Sequence, residues 1–362
     1  MSRRGHRRAA PPTIFDVADQ AGVSASTVSR SLRGMPNVAR STRERVERVA
    51  DALGYVASPA ASGLASGRTT TIGVVVPFLS RWYFMRVVEG VEQTLRANGY
   101  DLLLSNFGNA EGRAGFFQRQ PFSRKVDGVI LIDVALQPDE QAQLQVLGVP
   151  ITVVAGEALG VGSVGIDELH SVRMAVQHLA HLGHEQIGMI CGEPEPGLGF
   201  AIPGHRRDAF LQAVAEAGLE SDPEWMVTAA WGLEGGATAA QNLLAARRLP
   251  TAIFAESDEI AFGALRTLRL AGLDVPGRMS VVGFDDHDMA SVVNLTTISQ
   301  PVDQIGAAAA TLLLEALAGR GDPFARVVVP TRLIVRGSTA PPPRRRRHQL
   351  PSAARIVPRT PS

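Results

Sequence analysis

Several groups of residues have types and spacings on which chemistry could be built. Gly160, Gly162 and Gly165, in the string GVGSVG, satisfy the spacing GxGxxG. In a dinucleotide site such glycines join a first strand directly to a helix, and an acid follows about 20 residues later on the next strand. These three lie in mid-chain without that context, so a flexible loop is expected. His178, His181 and His184 fall close together, but one helical turn cannot supply the remaining ligands of a tetrahedral zinc site. Cys191 is the single cysteine, and with no identifiable cation or base to take its proton it reads as an inert core thiol. No nucleophile elbow, P-loop or HExxH string is present. Catalysis has no foothold, and neither cofactor nor metal is expected.

The N-terminal stretch is more productive. Residues 13–33 read TIFDVADQAGVSASTVSRSLR. Ile14, Val17, Ala18 and Ala21 recur at helical spacing, and Gly22 stops that helix. Ser24 is placed to cap a second helix running to about Leu32, with Val28 and Leu32 facing inward. Two short helices joined at a glycine turn make a helix-turn-helix, whose second helix can enter the major groove of DNA. A third amphipathic helix runs from about Ser41, with Val46, Val49, Ala50 and Leu53 inward, and ends at Gly54.

Charge separates the chain into parts. The net charge of +1 hides basic ends on an acidic body. Residues 1–70 hold 11 Arg against five acids, and residues 341–362 hold six Arg and no acid. Such ends suit a polyanion or simple solvation, and the helix-turn-helix decides for DNA at the first of them. The start MSRRGHRRAAPP lacks the apolar segment of an export signal and reads as a basic arm over 1–12. No run of about 18 apolar residues exists, so no membrane span and a cytoplasmic location are expected. The tail from 341 to 362 is rich in Pro and Arg and is expected to be disordered.

The string over residues 13–55, with DVA, AGVS, STVSR, TRERV and LGY, resembles the lactose-repressor/galactose-repressor (LacI/GalR) family closely. The resemblance implies a DNA-binding domain over 13–57 in which Ala25, Ser26 and Arg30 face base edges. Arg30 is the strongest of these, because a guanidinium can bond both acceptors of guanine. Thr13, Ser24, Thr27, Ser29 and Asn37 are implied phosphate contacts, although Thr27 and Ser29 equally suit a polar helix surface. Arg33 replaces the family's usual asparagine and either reads a base or grips a phosphate. Residues 58–70 correspond to the family's hinge. There Leu64 matches a leucine that wedges into the minor groove and Ala61 the small residue before it. Ser58 and Gly63 depart from the hinge pattern, and glycine costs a helix about 1 kcal/mol.

From residue 71 apolar strands alternate with amphipathic helices. Strands are expected at 72–76, 100–105, 126–132, 150–155, 186–191, 251–255 and 279–284. Helices are expected at 84–98, 168–182, 206–217, 234–247 and 257–271. The alternation argues for parallel sheets with right-handed crossovers, and seven units argue for two doubly wound lobes over 71–340. This resembles the family's sensor region, similar to periplasmic sugar-binding proteins, with chain crossings near 163–166 and 290–300 and residues 300–338 returning to the first lobe. Pro121 stands where the second helix usually continues, so that helix should be short or broken.

Ligands of such folds sit between the lobes, beyond the carboxyl ends of the strands. The positions that match the family there are Arg81, Tyr83, Asp167, Arg206, Trp231, Ser257, Asp258 and Asp285. They suit a sugar, since Asp and Arg bond adjacent hydroxyls and an indole stacks on a ring face. Trp231 equally suits lobe packing, Asp258 equally suits a helix cap, and Phe84 is expected in the core. The resemblance thus implies a homodimer that binds a palindromic DNA operator as a repressor, under allosteric control by a small molecule, a sugar or sugar derivative. Two other classes compete. A sugar carrier without a DNA role would have an export signal and no headpiece, and an enzyme would have a catalytic constellation.

Overall fold

The computed structural model describes residues 12–55, 68–156, 160–195, 197–199 and 202–343. The hinge positions Ala61 and Leu64 and the Arg-rich segment from 344 onward lie outside the described residues.

Three helices make the headpiece: α1 (Ile14–Ala21), α2 (Ala25–Leu32) and α3 (Arg40–Leu53). Their ends are set by local chemistry. The Asp16 carboxylate accepts from the backbone N–H of Thr13 at 2.7 Å, while the Thr13 hydroxyl accepts from the Asp16 N–H at 3.4 Å. Gly22 ends α1 at φ 64°, a left-handed conformation that only glycine adopts without strain. Ser24 then caps α2 by accepting from the Thr27 N–H at 3.2 Å. Val17, Val28 and Val46, one from each helix, are fully buried against one another's cluster.

The body has two six-stranded sheets, each between two layers of helices. The first lobe contains β1 (Thr71–Val76), α4 (Trp82–Ala97), β2 (Asp101–Asn106), α5 (Ala110–Arg119), β3 (Gly128–Ile132), α6 (Pro138–Gln145), β4 (Ile151–Val154) and β5 (Gly162–Gly165). It is completed much later by α11 (Val302–Leu317) and β11 (Arg326–Val328). Its sheet order is β11-β5-β4-β3-β1-β2, with every pairing parallel. The second lobe contains α7 (Glu168–His181), β6 (Ile187–Gly192), α8 (Ile202–Glu216), β7 (Met226–Ala229), α9 (Leu233–Leu244), β8 (Ala252–Ala255), α10 (Asp258–Leu270), β9 (Ser280–Asp285), β10 (Thr296–Ser299) and β12 (Arg332–Ile334). Its order is β12-β10-β9-β8-β6-β7. All its pairings are parallel except that of β12, which runs antiparallel to β10.

The strands read as apolar runs because both faces of each sheet are covered. Phe84, Val87 and Leu95 of α4 and Ile305 and Leu313 of α11 cover one face of the first sheet. Phe116, Phe117, Phe122 and Leu144 cover the other. The second sheet lies between α7 with α8 and α9 with α10. Helices α4 and α11 approach closely enough that a Cβ on Gly90 would overlap the Asp303 carbonyl oxygen, and one on Gly306 that of Val87.

The structure corrects the sequence reading in two places. The string at 160–165 is not a flexible loop, because Gly162–Gly165 forms strand β5 in the first sheet. A side chain on Gly162 would press on Leu312 and the Pro323 carbonyl. Residues 300–338 do not stay in the first lobe. After β11 the chain crosses once more, and β12 pairs in the second sheet. Ser338 locks that return, donating to the Val281 carbonyl at 2.6 Å and accepting from the Thr296 N–H at 2.8 Å. The second lobe is therefore not wholly parallel. At Pro121 the expectation is met: α5 stops at Arg119 and Gln120 turns left-handed at φ 43°. No helix among the described residues is long and apolar enough to cross a membrane.

Candidate functional site

Two regions concentrate the residues singled out in the sequence. The first is the outer face of α2. Packing of Val28 and Ser31 inward leaves Ser24, Ser26, Arg30 and Arg33 exposed, with Ala25, Thr27 and Ser29 half-buried. Both arginines lie along their own helix: Arg30 Nε donates to the Ser26 carbonyl at 3.2 Å, and Arg33 donates to the Ser29 carbonyl and hydroxyl at 3.1 and 2.9 Å. These exposed bonds are exchangeable for contacts with a polyanion. Asn37 is exposed in the turn before α3, which Arg43 anchors by donating to the Met35 carbonyl at 2.7 Å. Thr13 is exposed, and its hydroxyl donates to Asp16 at 2.7 Å, so it ends the helix as well as facing solvent. Phe15 went unnoticed in the sequence. It is 67% exposed on α1.

The second region is a cavity of about 1300 Å³ between the lobes. Seven of the eight effector positions line it: Arg81, Tyr83, Asp167, Arg206, Trp231, Ser257 and Asp285. Asp167 caps α7, accepting from the His170 N–H at 2.8 Å, and Ser257 caps α10, accepting from the Ile260 N–H at 3.3 Å. The eighth, Asp258, is fully buried and is not among the lining residues. Its oxygens take the His287 N–H at 2.8 Å and the Thr297 hydroxyl at 2.7 Å. It therefore ties the segment after β9 to β10, and the helix cap it was weighed for belongs to Ser257.

Arg206 is the hub. It is 5% exposed and lies 3.6 Å above the Phe284 ring. Its Nε and Nη2 donate to the two oxygens of Glu168 at 2.8 Å each, and its Nη1 donates to the Glu256 carbonyl at 2.8 Å. This two-pronged pairing keeps a buried cation ionised. Arg81 comes from the opposite lobe. Its guanidinium lies 3.8 Å from the Phe78 ring centre and 5.0 Å from that of Trp231, and pairs with Glu195 at 2.5 Å. Trp231 is fixed by its indole N–H on the Glu193 carbonyl at 2.9 Å. Gly192 makes room for it, since a Cβ there would overlap the indole.

Carboxyl groups dominate the remainder. Asp285 ends β9 at φ 125° and accepts from Gln300 Nε2 at 2.6 Å. Burial pushes its acid up to about 7 despite the pull of Arg206. Asp133, just past β3 at φ 52°, is buried and lines the cavity. Burial holds it well above the usual carboxylate range, and Arg206 only partly opposes this. The Tyr83 phenol is likewise pushed up by burial and by Asp133. Asp133, Glu168 and Gln300 were missed in the sequence. An acid directly after an apolar strand is the one signal that could have found Asp133.

The histidines have structural work. His178 bonds Thr339 at 3.0 Å, and His184 bonds Thr251, Ser280 and the Ala340 carbonyl at 2.8, 3.0 and 2.9 Å. Burial pushes the Cys191 thiol up to about 12, which keeps it protonated and unreactive.

Comparison with known proteins agrees with this architecture. Residues 13–58 match the pattern of bacterial regulatory proteins of the lacI family, and residues 176–339 match a periplasmic binding protein-like domain. The transcriptional repressor CytR of Escherichia coli is 33% identical, over 90% of this chain and 96% of its own length. The lac repressor dimer, solved on its operator with an anti-inducer, superposes with a TM-score of 0.82 at 25% identity, covering 91% of this chain and all of that one. A complex of the regulator CelR with cellobiose superposes with a TM-score of 0.67 at 30% identity, covering 90% and 99%. The chain belongs to the lacI family of bacterial regulatory proteins.

Proposed function

We propose that the protein is a homodimeric repressor that binds a palindromic operator through α2, acts in the cytoplasm, and is controlled by a sugar or sugar derivative held between its lobes. It performs no catalysis in this reading. The observation that carries it is the union, in one chain, of a helix-turn-helix capped for DNA entry and an inter-lobe cavity lined by Arg206, Asp285 and Trp231. A solute carrier needs only the second. The dimer is supported by the lac repressor, which binds its operator as one. It is supported too by the apolar side chains of Met289, Val292 and Val293, which are 46%, 72% and 36% exposed on one short segment after β9. The sugar is supported by the cellobiose held by CelR and by the polar groups converging on an apolar cavity.

Control follows from linkage. An effector that prefers one spacing of the lobes, and DNA that prefers another, weaken each other by the same factor. The test is binding of the full chain to fragmented bacterial genomic DNA, with sequencing of what is retained at moderate salt. A few strong palindromic sites are expected, and their affinity should change with the cognate sugar. Uniform retention that salt erases, with and without candidate sugars, would leave only electrostatic binding and would refute the proposal.

A further inference from the structure

We propose that Asp133 is a second effector-binding carboxylate, acting with Asp285 from the opposite lobe, and that the pair restricts the effector to donor-rich molecules without an anionic group. This rests on the reading of the cavity as the effector site.

The argument starts from the cations. An anionic effector such as a phosphate ester needs a guanidinium or ammonium to receive it. Of the three arginines that line the cavity, Arg206 and Arg81 are already engaged, and Arg326 is exposed on the edge strand β11. Arg206 gives two of its nitrogens to Glu168 and the third to the Glu256 carbonyl. Arg81 is paired with Glu195 and packed on Phe78. A phosphate could take Arg206 only by expelling Glu168 from a buried pair, and at Arg81 it would lie against Glu195, which Nη2 already holds.

The acceptors are in the opposite condition. Asp133 is 3% exposed, lines the cavity, and receives no hydrogen bond from the described residues. Asp285 is 7% exposed and receives one, from Gln300. Both stand at positive φ, 52° and 125°, the kind of backbone strain that concentrates at binding sites. Glu259 lines the same cavity, and the buried carboxyl of Glu256 lies close behind Arg206. Burial raises Asp133 and Asp285 together, as expected of carboxyl groups whose donors have still to arrive. Hydroxyl or amino groups supply those donors. The phosphate group of an ester brings about 1.5 to 2 further negative charges and takes the place of one hydroxyl donor.

The test uses the full chain and calorimetric titration with ribose, glucose, cellobiose and glucosamine, each beside its phosphate ester. For the sugar that binds, the ester should be weaker on the order of 100-fold, the scale of like-charge juxtaposition in a closed site. Asp133→Asn keeps the shape and suits the left-handed backbone, which Asn tolerates. It should weaken the parent sugar about tenfold, the loss of a charge-assisted bond, and narrow the gap to the ester. An ester that binds as tightly as its parent overturns the proposal. So does an Asp133→Asn protein with unchanged affinity for the parent, or silence from every sugar and every ester. Failure of the regulator reading would show separately, as the absence of palindromic sites in the genomic DNA selection. An ester that alters binding to such sites would refute only the restriction to non-anionic effectors.

Discussion

Replacing Glu256 by Gln should change how stability depends on pH, and the structure fixes both sign and size. Glu256 follows β8 and is fully buried. One carboxyl oxygen accepts from the Gly192 N–H at 2.5 Å, and the other has no partner among the described residues. Burial outweighs the attraction of Arg206 and the Gly192 bond, and lifts the acid from its ordinary 4.5 to about 7. In the unfolded chain the proton leaves near the lower value, in the folded protein near the higher. Between the two the folded state holds more protons, so stability falls as pH rises. The contribution is complete below the lower value and lost above the higher. At about 1.4 kcal/mol per pH unit, the ionised form costs the fold about 3 kcal/mol. Gln keeps an oxygen for Gly192 and does not titrate. Its amide nitrogen falls where the neutral acid's hydroxyl would, so one unpaired position remains in both proteins. Urea unfolding followed by circular dichroism, at pH values from about 4 to about 8, gives the difference curve. The variant should match the wild type at the acid end and exceed it by about 3 kcal/mol at the alkaline end. Parallel curves for the two proteins, or a wild type that is the more stable at the alkaline end, would refute the reasoning.

Four other outcomes follow from named contacts. Arg30→Ala should cost about 1–3 kcal/mol of operator binding and relax base choice at one position of each half-site, measured by selection from random DNA. Glu168→Gln breaks the two-pronged pair with Arg206 and should destabilise the body by about 3–5 kcal/mol while abolishing the effector's influence on DNA binding, read by unfolding and by gel shift. Gly192→Ala places a Cβ in the Trp231 indole; sugar affinity should fall about tenfold as the indole moves, and tryptophan emission should shift with it. Val292→Glu puts a charge on the exposed apolar segment, and analytical ultracentrifugation should show monomers whose operator affinity is lost with the second headpiece.

Most elements of this protein were legible because local chemistry and burial demand the same residues. Ser24 caps α2 whatever else surrounds it, and VILI in β3 is apolar because helices cover both faces of its sheet. What escaped was set by distant partners. Strand β5 reads GSVG because Leu312 and the Pro323 carbonyl press on Gly162, and nothing near Gly162 in sequence announces Leu312. Strands β11 and β12 are three residues each, too short for a period to register, and exist because they complete the edges of two sheets. The site shows the same division. Resemblance placed seven residues in one cavity, but Asp258 turned toward His287 and Thr297, a choice made by the segment after β9. Glu168 and Gln300 act through Arg206 and Asp285, and such partners become visible only when the lobes are folded.

The same geometry says why a small ligand can command the fold. The lobes touch through polar and ring contacts: Arg81 with Glu195, the Trp82 indole N–H with Asp288 at 3.2 Å, and Trp82 tilted 4.8 Å from His287. They touch also through Leu198, which the segment after β6 buries in the first lobe's core beside a hydrogen bond from the Ala135 N–H to the Gly199 carbonyl at 3.0 Å. The Trp82–Asp288 bond is exposed and contributes about 0–1 kcal/mol, so the bonds that a ligand makes across the cavity weigh in the balance between two spacings of the lobes. The groups that could tip the balance sit where the chain crosses. Asp167 lies between β5 and α7, and Gln300 lies between β10 and α11 and holds Asp285. A ligand bonded to Arg206 and Asp285 in one lobe and Tyr83 and Asp133 in the other therefore pulls on the crossings themselves. Its leverage is the difference in contact between the two spacings, and a ligand held by one lobe alone, however tightly, would change nothing at the DNA.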